Sequence, residues 1–170
     1  VVACIAPHVH AELHGSLVRL LDALVRITQN EHMVLRSAGA CCFSVLTKCI
    51  TDKAMHVLVE RIVPMLGDST LLHRQGAMEV ISRTVRVQDE RLLPYVLFLV
   101  VPVLGRMNDS DESVRLLATN TFAELVKLVP LIHGLPDPPN FSPALLARRE
   151  EEKAFLSQLL DGSKVEPYKV

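Results

Sequence analysis

Apolar side chains recur along this chain at steps of three and four residues. The clearest run is Val114, Leu117, Ala118, Phe122, Leu125, Val126 and Val129, the spacing of one buried face of an α-helix. A longer period lies over the short one. Segments starting at Asn30, Asp68 and Asp109 align without gaps over seventeen residues each. Each places Asn or Asp six residues before an arginine (Arg36, Arg74, Arg115). Each places a small residue three positions after that arginine (Gly39, Ala77, Ala118) and a large apolar one seven after it (Phe43, Ile81, Phe122). The arginines are 38 and 41 residues apart. The upstream halves agree as well, Ile62-Val-Pro-Met-Leu-Gly67 matching Val100-Val-Pro-Val-Leu-Gly105. The three extra residues, Arg106 to Asn108, fall in the following turn, where insertions cost little.

Each unit reads as two helices. The first helices are expected over 11–28, 54–67 and 90–107, with Pro64 and Pro102 kinking theirs by removing a donor. Asp109-x-x-Glu112 has the pattern of a capping box, and Asp68 and Asn30 hold the same cap position. Val1 to Ala6 reads as the tail of a preceding second helix. A two-helix unit of about 40 residues matches the HEAT class of α-solenoid. The expected fold is therefore all-α, a HEAT array over residues 1–129. In HEAT repeats an aspartate in the turn and an arginine six residues on form a ladder between units. That resemblance casts Arg36, Arg74 and Arg115 as donors and Asp68 and Asp109 as acceptors, with a weaker rung at Asn30.

Prolines at 130, 136, 138, 139 and 143 break the helical pattern and mark 130–142 as a linker. Ser142-Pro143 reads as the start of a bridging helix over 143–162. Leu145, Leu146, Phe155, Leu156, Leu159 and Leu160 give it an apolar stripe, while the charged run from Arg148 to Lys153 is expected to be mostly solvated. Residues 163–170 read as an extended tail.

Composition narrows the choice. Apolar residues make up 49% of the chain, enough for a continuous core, and only seven glycines argue against a turn-rich β domain. A net charge of −1 gives no general basic surface for nucleic acid, although Arg83, Arg86, Arg91 and Arg106 could form a local one. Cys4, Cys41, Cys42 and Cys49 lack paired spacing and are expected as buried thiols in a reducing compartment. The longest apolar run, Leu92 to Leu104, has two prolines and is too short for a membrane span. No basic signal-peptide region opens the chain. Starting on Val, it is expected to be a piece of a longer protein.

No reaction centre emerges. His8, His10 and His14 cluster near Glu12, but Ala11 stands where a zinc-protease helix needs Glu. His32, His56, His73 and His133 are scattered singly. Neither a phosphate-binding loop nor a G-x-S-x-G elbow is present. Asp109, Asp111 and Glu112 lack the glycine and distal Glu of a calcium loop. No catalytic, cofactor-binding or metal residue is expected.

The end of the chain carries a more specific signal. Pro136-Asp-Pro-Pro139, then Phe155-Leu-x-Gln-Leu-Leu-Asp-Gly162 and Lys164-x-Glu-x-Tyr-Lys169 resemble a junction in the modifier-of-transcription family. These are the TATA-box-binding-protein-associated factors of B-TFIID, with a SWI/SNF-like ATPase. Pro94 to Met107 and Asp111-x-Ser-Val-Arg115 are similar to that family too. The resemblance implies the last HEAT repeats and the bridge to an ATPase domain of the same chain, which would bind ATP and magnesium. It further implies that other repeats grip TATA-binding protein, that the motor engages DNA, that the protein is nuclear, and that this segment is a non-catalytic scaffold. The alternative is a generic protein-binding solenoid of the transport-receptor or phosphatase-scaffold type.

Overall fold

The computed structural model describes residues 10–48, 50, 52–87, 90–132 and 141–160. The readings for Val1 to Ala6, Cys4, Cys49, His8, His133, most of the linker, and the segment from Asp161 onward lie outside these residues. So do those for the side chains of His10, Glu12, His14 and Val129.

Seven α-helices are found among the described residues: α1 (His10–Thr28), α2 (Met33–Leu46), α3 (Asp52–Ile62), α4 (Leu71–Val87), α5 (Val96–Arg106), α6 (Glu112–Ile132) and α7 (Pro143–Leu160). Short 3₁₀ segments, Val63–Gly67 and Glu90–Tyr95, extend α3 forward and α5 backward. The pairs α1–α2, α3–α4 and α5–α6 are the three units. Their second helices stack, α2 on α4 and α4 on α6, while the first-helix segments form the other layer. This is the all-α solenoid that the period implied.

The prolines act differently from expectation. The first helix of the second unit does not run kinked to residue 67: α3 stops at Ile62, and Pro64 sits at the start of the 3₁₀ turn, where a missing N–H costs little. In the third unit Pro94 disfavours α geometry at Leu93, so Glu90–Tyr95 is 3₁₀ and α-helix begins only at Val96. Pro102 stays inside α5, whose Val100 and Val103 neighbours are buried. The backbone of α6 remains helical past Val129 and Pro130 to Ile132, so the linker is shorter than its prolines suggested.

The core runs through all three units. Phe43, Ala77, Ile81, Ala118 and Leu125 are buried where the repeat places them, and Phe122 packs against them from the edge. On α6 the innermost stripe is Val114, Ala118, Thr121, Leu125 and Leu128, with Leu117 and Val126 at its margin. Cys41 is not a buried thiol: it lies on the outer face of α2, while Cys42 is part-buried against the core. Units one and two meet without intervening side chain at Gly76. An added Cβ there would lie 2.2 Å from the Thr28 carbonyl oxygen.

Candidate functional site

The three inter-helix turns share one hydrogen-bonded design. The side chain of the first turn residue accepts from the backbone N–H two residues on: Asn30 Oδ1 from His32 at 2.9 Å, Asp68 Oδ1 from Thr70 at 2.7 Å, Asp109 Oδ1 from Asp111 at 3.0 Å. These are Asx turns. Asp109 is therefore not half of a capping box. The cap of α6 is Asp111, whose Oδ1 accepts from the Val114 N–H at 3.1 Å. The arginine six residues on closes each turn from above. Its Nη1 donates to two successive carbonyls: Arg36 to Asn30 and Glu31, Arg74 to Asp68 and Ser69, Arg115 to Asp109 and Ser110, all at 2.8–3.0 Å.

With Nη1 held twice, the other edge of the guanidinium has a fixed heading. In the second unit it meets the third: Arg74 Nε and Nη2 donate to Asp109 Oδ2 and Oδ1 at 2.8 and 3.1 Å, a bidentate pair. The Asp109 carboxylate is only 1% exposed, and Arg106 Nη1 adds a third donor at 3.1 Å. Burial alone would raise its pKa. The Arg74 hydrogen bond, the Asp111 amide and the nearby guanidinium charges outweigh that and hold it below the ordinary value.

Arg36 is not paired with Asp68. Its Nε lies 3.5 Å from Glu79 Oε1 on α4 and forms no hydrogen bond of good geometry. Asp68 accepts instead from His73 Nδ1 at 2.9 Å; that bond and the Thr70 amide bring its pKa down to about 2. A histidine five residues on has captured the acceptor that the spacing assigned to the ladder. Arg115 Nε and Nη2 have no partner among the described residues.

Side chains beside the arginines complete the junctions. Ser37 accepts from Arg83 of α4, and Gln75 Nε2 donates to Ser113 Oγ at 3.0 Å on α6. The supposed basic face is thus partly consumed, with Arg83 and Arg106 engaged internally. A groove of about 440 Å³ crosses all three second helices, lined by Met33, Val34, Glu79, Arg83, Arg86 and Leu117 among others. Met33 and Val34 are largely exposed in it.

The bridging helix docks on the first-helix layer. Phe141, one residue before its Ser142 cap, is buried among rings: Tyr95 and Phe98 at 5.4 Å and His56 at 5.6 Å between centroids. Leu145 and Leu146 pack against the core, and the Arg148 guanidinium lies 5.7 Å over the Phe98 ring. The charged run is mostly solvated, as expected, with Arg149 and Glu152 as buried exceptions, and Arg148 Nε donates to Glu152 at 2.8 Å. Burial raises the Glu152 pKa, only partly offset by Arg148. Phe155, expected on the docking stripe, is 45% exposed. The side chains of Leu156, Leu159 and Leu160 lie outside the described residues. Phe141 went unmarked because its burial depends on rings 43 to 85 residues away in sequence.

Burying a phenylalanine side chain is worth about 1.5–3 kcal/mol. Phe141→Ala is accordingly expected to weaken docking of α7 roughly 10- to 100-fold. Hydrogen exchange of α7 amides should accelerate by that factor while α4 stays protected; equal protection of α7 in both proteins would refute the anchor.

No cluster of three metal-ligating side chains is found among the described residues, and no described helix is long and apolar enough to cross a membrane. What the arrangement offers is protein-contact surface: a groove, a docked helix and an arginine edge.

Comparison with known proteins bears out the HEAT-repeat architecture. The HEAT-repeat family described as stalled ribosome sensor GCN1-like matches residues 1–132. The TATA-binding protein-associated factor mot1 of Aspergillus fumigatus is 49% identical over 167 residues, covering 98% of this chain and 9% of its own length. The mot1 protein of Schizosaccharomyces pombe is 47% identical over 93% of this chain and 8% of its own. The human TATA-binding protein-associated factor 172 is 41% identical over 97% of this chain and 9% of its own. The chain thus spans under a tenth of the length of the curated relatives it matches.

Proposed function

We propose that this chain, which belongs to the HEAT-repeat family and corresponds to a segment of the TATA-binding protein-associated factors, is the non-catalytic scaffold between gripping repeats and an ATPase motor. One observation carries the reading. The segment after the repeats is clamped: Phe141 and α7 lock onto α3, the 3₁₀ segment and α5, so a domain following α7 would be mounted on the array. Packed units then pass displacement from neighbour to neighbour. On this reading the parent is a nuclear remodeller that removes TATA-binding protein from DNA. Other repeats bind that protein, the motor engages DNA and uses ATP with magnesium, and this segment needs no cofactor of its own.

The test is to release the clamp in the intact protein, combining Phe141→Ala with a Gly-Ser insertion at 137–140. ATP-driven release of TATA-binding protein from DNA should fall at least tenfold while ATP hydrolysis continues. Unchanged release would refute rigid coupling. The groove favours a second reading, a binding solenoid of the transport-receptor or phosphatase-scaffold type. Val34→Asp abolishing capture of a cargo or phosphatase subunit, with release unaffected, would support that alternative.

A further inference from the structure

Two positions in each of the first two units look toward the unit that follows. One is the outer edge of the turn-closing arginine. It meets an acid of the next unit twice, Arg36 facing Glu79 and Arg74 gripping Asp109. The other is the residue directly after that arginine, where Ser37 meets Arg83 and Gln75 meets Ser113. In the third unit these positions are Arg115 and Leu116. Arg115 closes its turn with the same two bonds as its counterparts, so its free edge has the same heading. Leu116 is 64% exposed. The bridging helix does not cover them, because α7 packs on α5 in the other layer.

From this register we infer that the outer face of α6 is an unfilled junction, whose occupant is an acid-bearing helical element of a further domain in the same polypeptide. Both acids met inside the array come in cis from the following unit, and the matched relatives are more than ten times longer than this chain. The occupant places an Asp or Glu carboxylate against Nε and Nη2 of Arg115, where a planar fork accepts two oxygens at once. Beside it an apolar side chain covers Leu116, replacing the polar contact made at Ser37 and Gln75. The identity of the occupant rests on the scaffold reading; the open register does not.

The experiment is photo-cross-linking in the intact protein with Leu116→p-benzoyl-phenylalanine, followed by peptide mapping. The expected adduct joins position 116 to a peptide of the same polypeptide outside residues 1–170 that contains Asp or Glu. Arg115→Gln should reduce its yield at least tenfold. Should Arg115→Gln unfold the turn, Asn or Gln at the mapped acid must give the same loss. Adducts confined to this segment, to a second isotopically labelled copy or to DNA would overturn the inference, as would a yield indifferent to both changes. Loss of the adduct's dependence on Arg115 with clamp-sensitive release intact overturns this inference alone; the converse overturns only the coupling.

Discussion

Gly76→Ala is expected to destabilise the array by about 4 kcal/mol, seen as a fall in melting temperature of roughly 8–16 °C. The cause is backbone meeting backbone. The new Cβ would sit 2.2 Å from the Thr28 carbonyl oxygen and 2.9 Å from its carbon. Neither is the flexible end of a side chain. Thr28 cannot retreat, being fully buried, with its hydroxyl donating to the Val25 carbonyl at 2.8 Å. Relief requires α1 to part from α4, which opens the junction of the first two units. Gly105→Ala is the control, because nothing lies within 4 Å of its added Cβ and it is in a helix. There alanine should be neutral or stabilising by about 0.5–1 kcal/mol. Equal melting temperatures for Gly76→Ala and the parent would show that the helices do not approach as described.

Asp109→Ala should cost about 3–5 kcal/mol, because it strands the buried Arg74 guanidinium and also removes the acceptor of the Asp111 amide. Asp109→Asn retains the turn and loses the charge, so about 1.5–3 kcal/mol is expected. Denaturant melts at neutral pH separate the two. The pH dependence has a definite sign. Since the carboxylate titrates lower in the folded state than its ordinary value of 3.8, its contribution is complete above that value and drains away as pH falls through the folded-state one. The gap between the parent and Asp109→Asn should therefore close as acid is added below about pH 4. A gap unchanged at pH 2 would refute an ionised Asp109 as the partner of Arg74.

Helix pairs, their stride and the arginine positions could be read from the chain because they rest on local periodicity. Phe43, Ile81 and Ala118 fall in the core where a three-and-four pattern puts them. Competition between neighbours was harder to see. Asp68 and Asp109 occupy equivalent places, yet His73 takes the first and Arg74 the second. Likewise, the alignment marks the third position after each arginine as small, whereas the tightest approach is at the second, Gly76. Long-range burial was invisible in the charged run of α7. Which of its faces is covered depends on how the helix docks, so Arg149 and Glu152 look like solvent-facing residues from their charge alone although both are buried.

The mounting of α7 has a mechanical corollary. Among the described residues its main packing is on the first-helix layer, to one side of the stacked second helices. Traction through it is therefore eccentric: it bends as well as stretches, loading one layer in tension and the other in compression. On the proposed scaffold role the segment would act as a crank, turning a linear tug at one end into a change of curvature along its length.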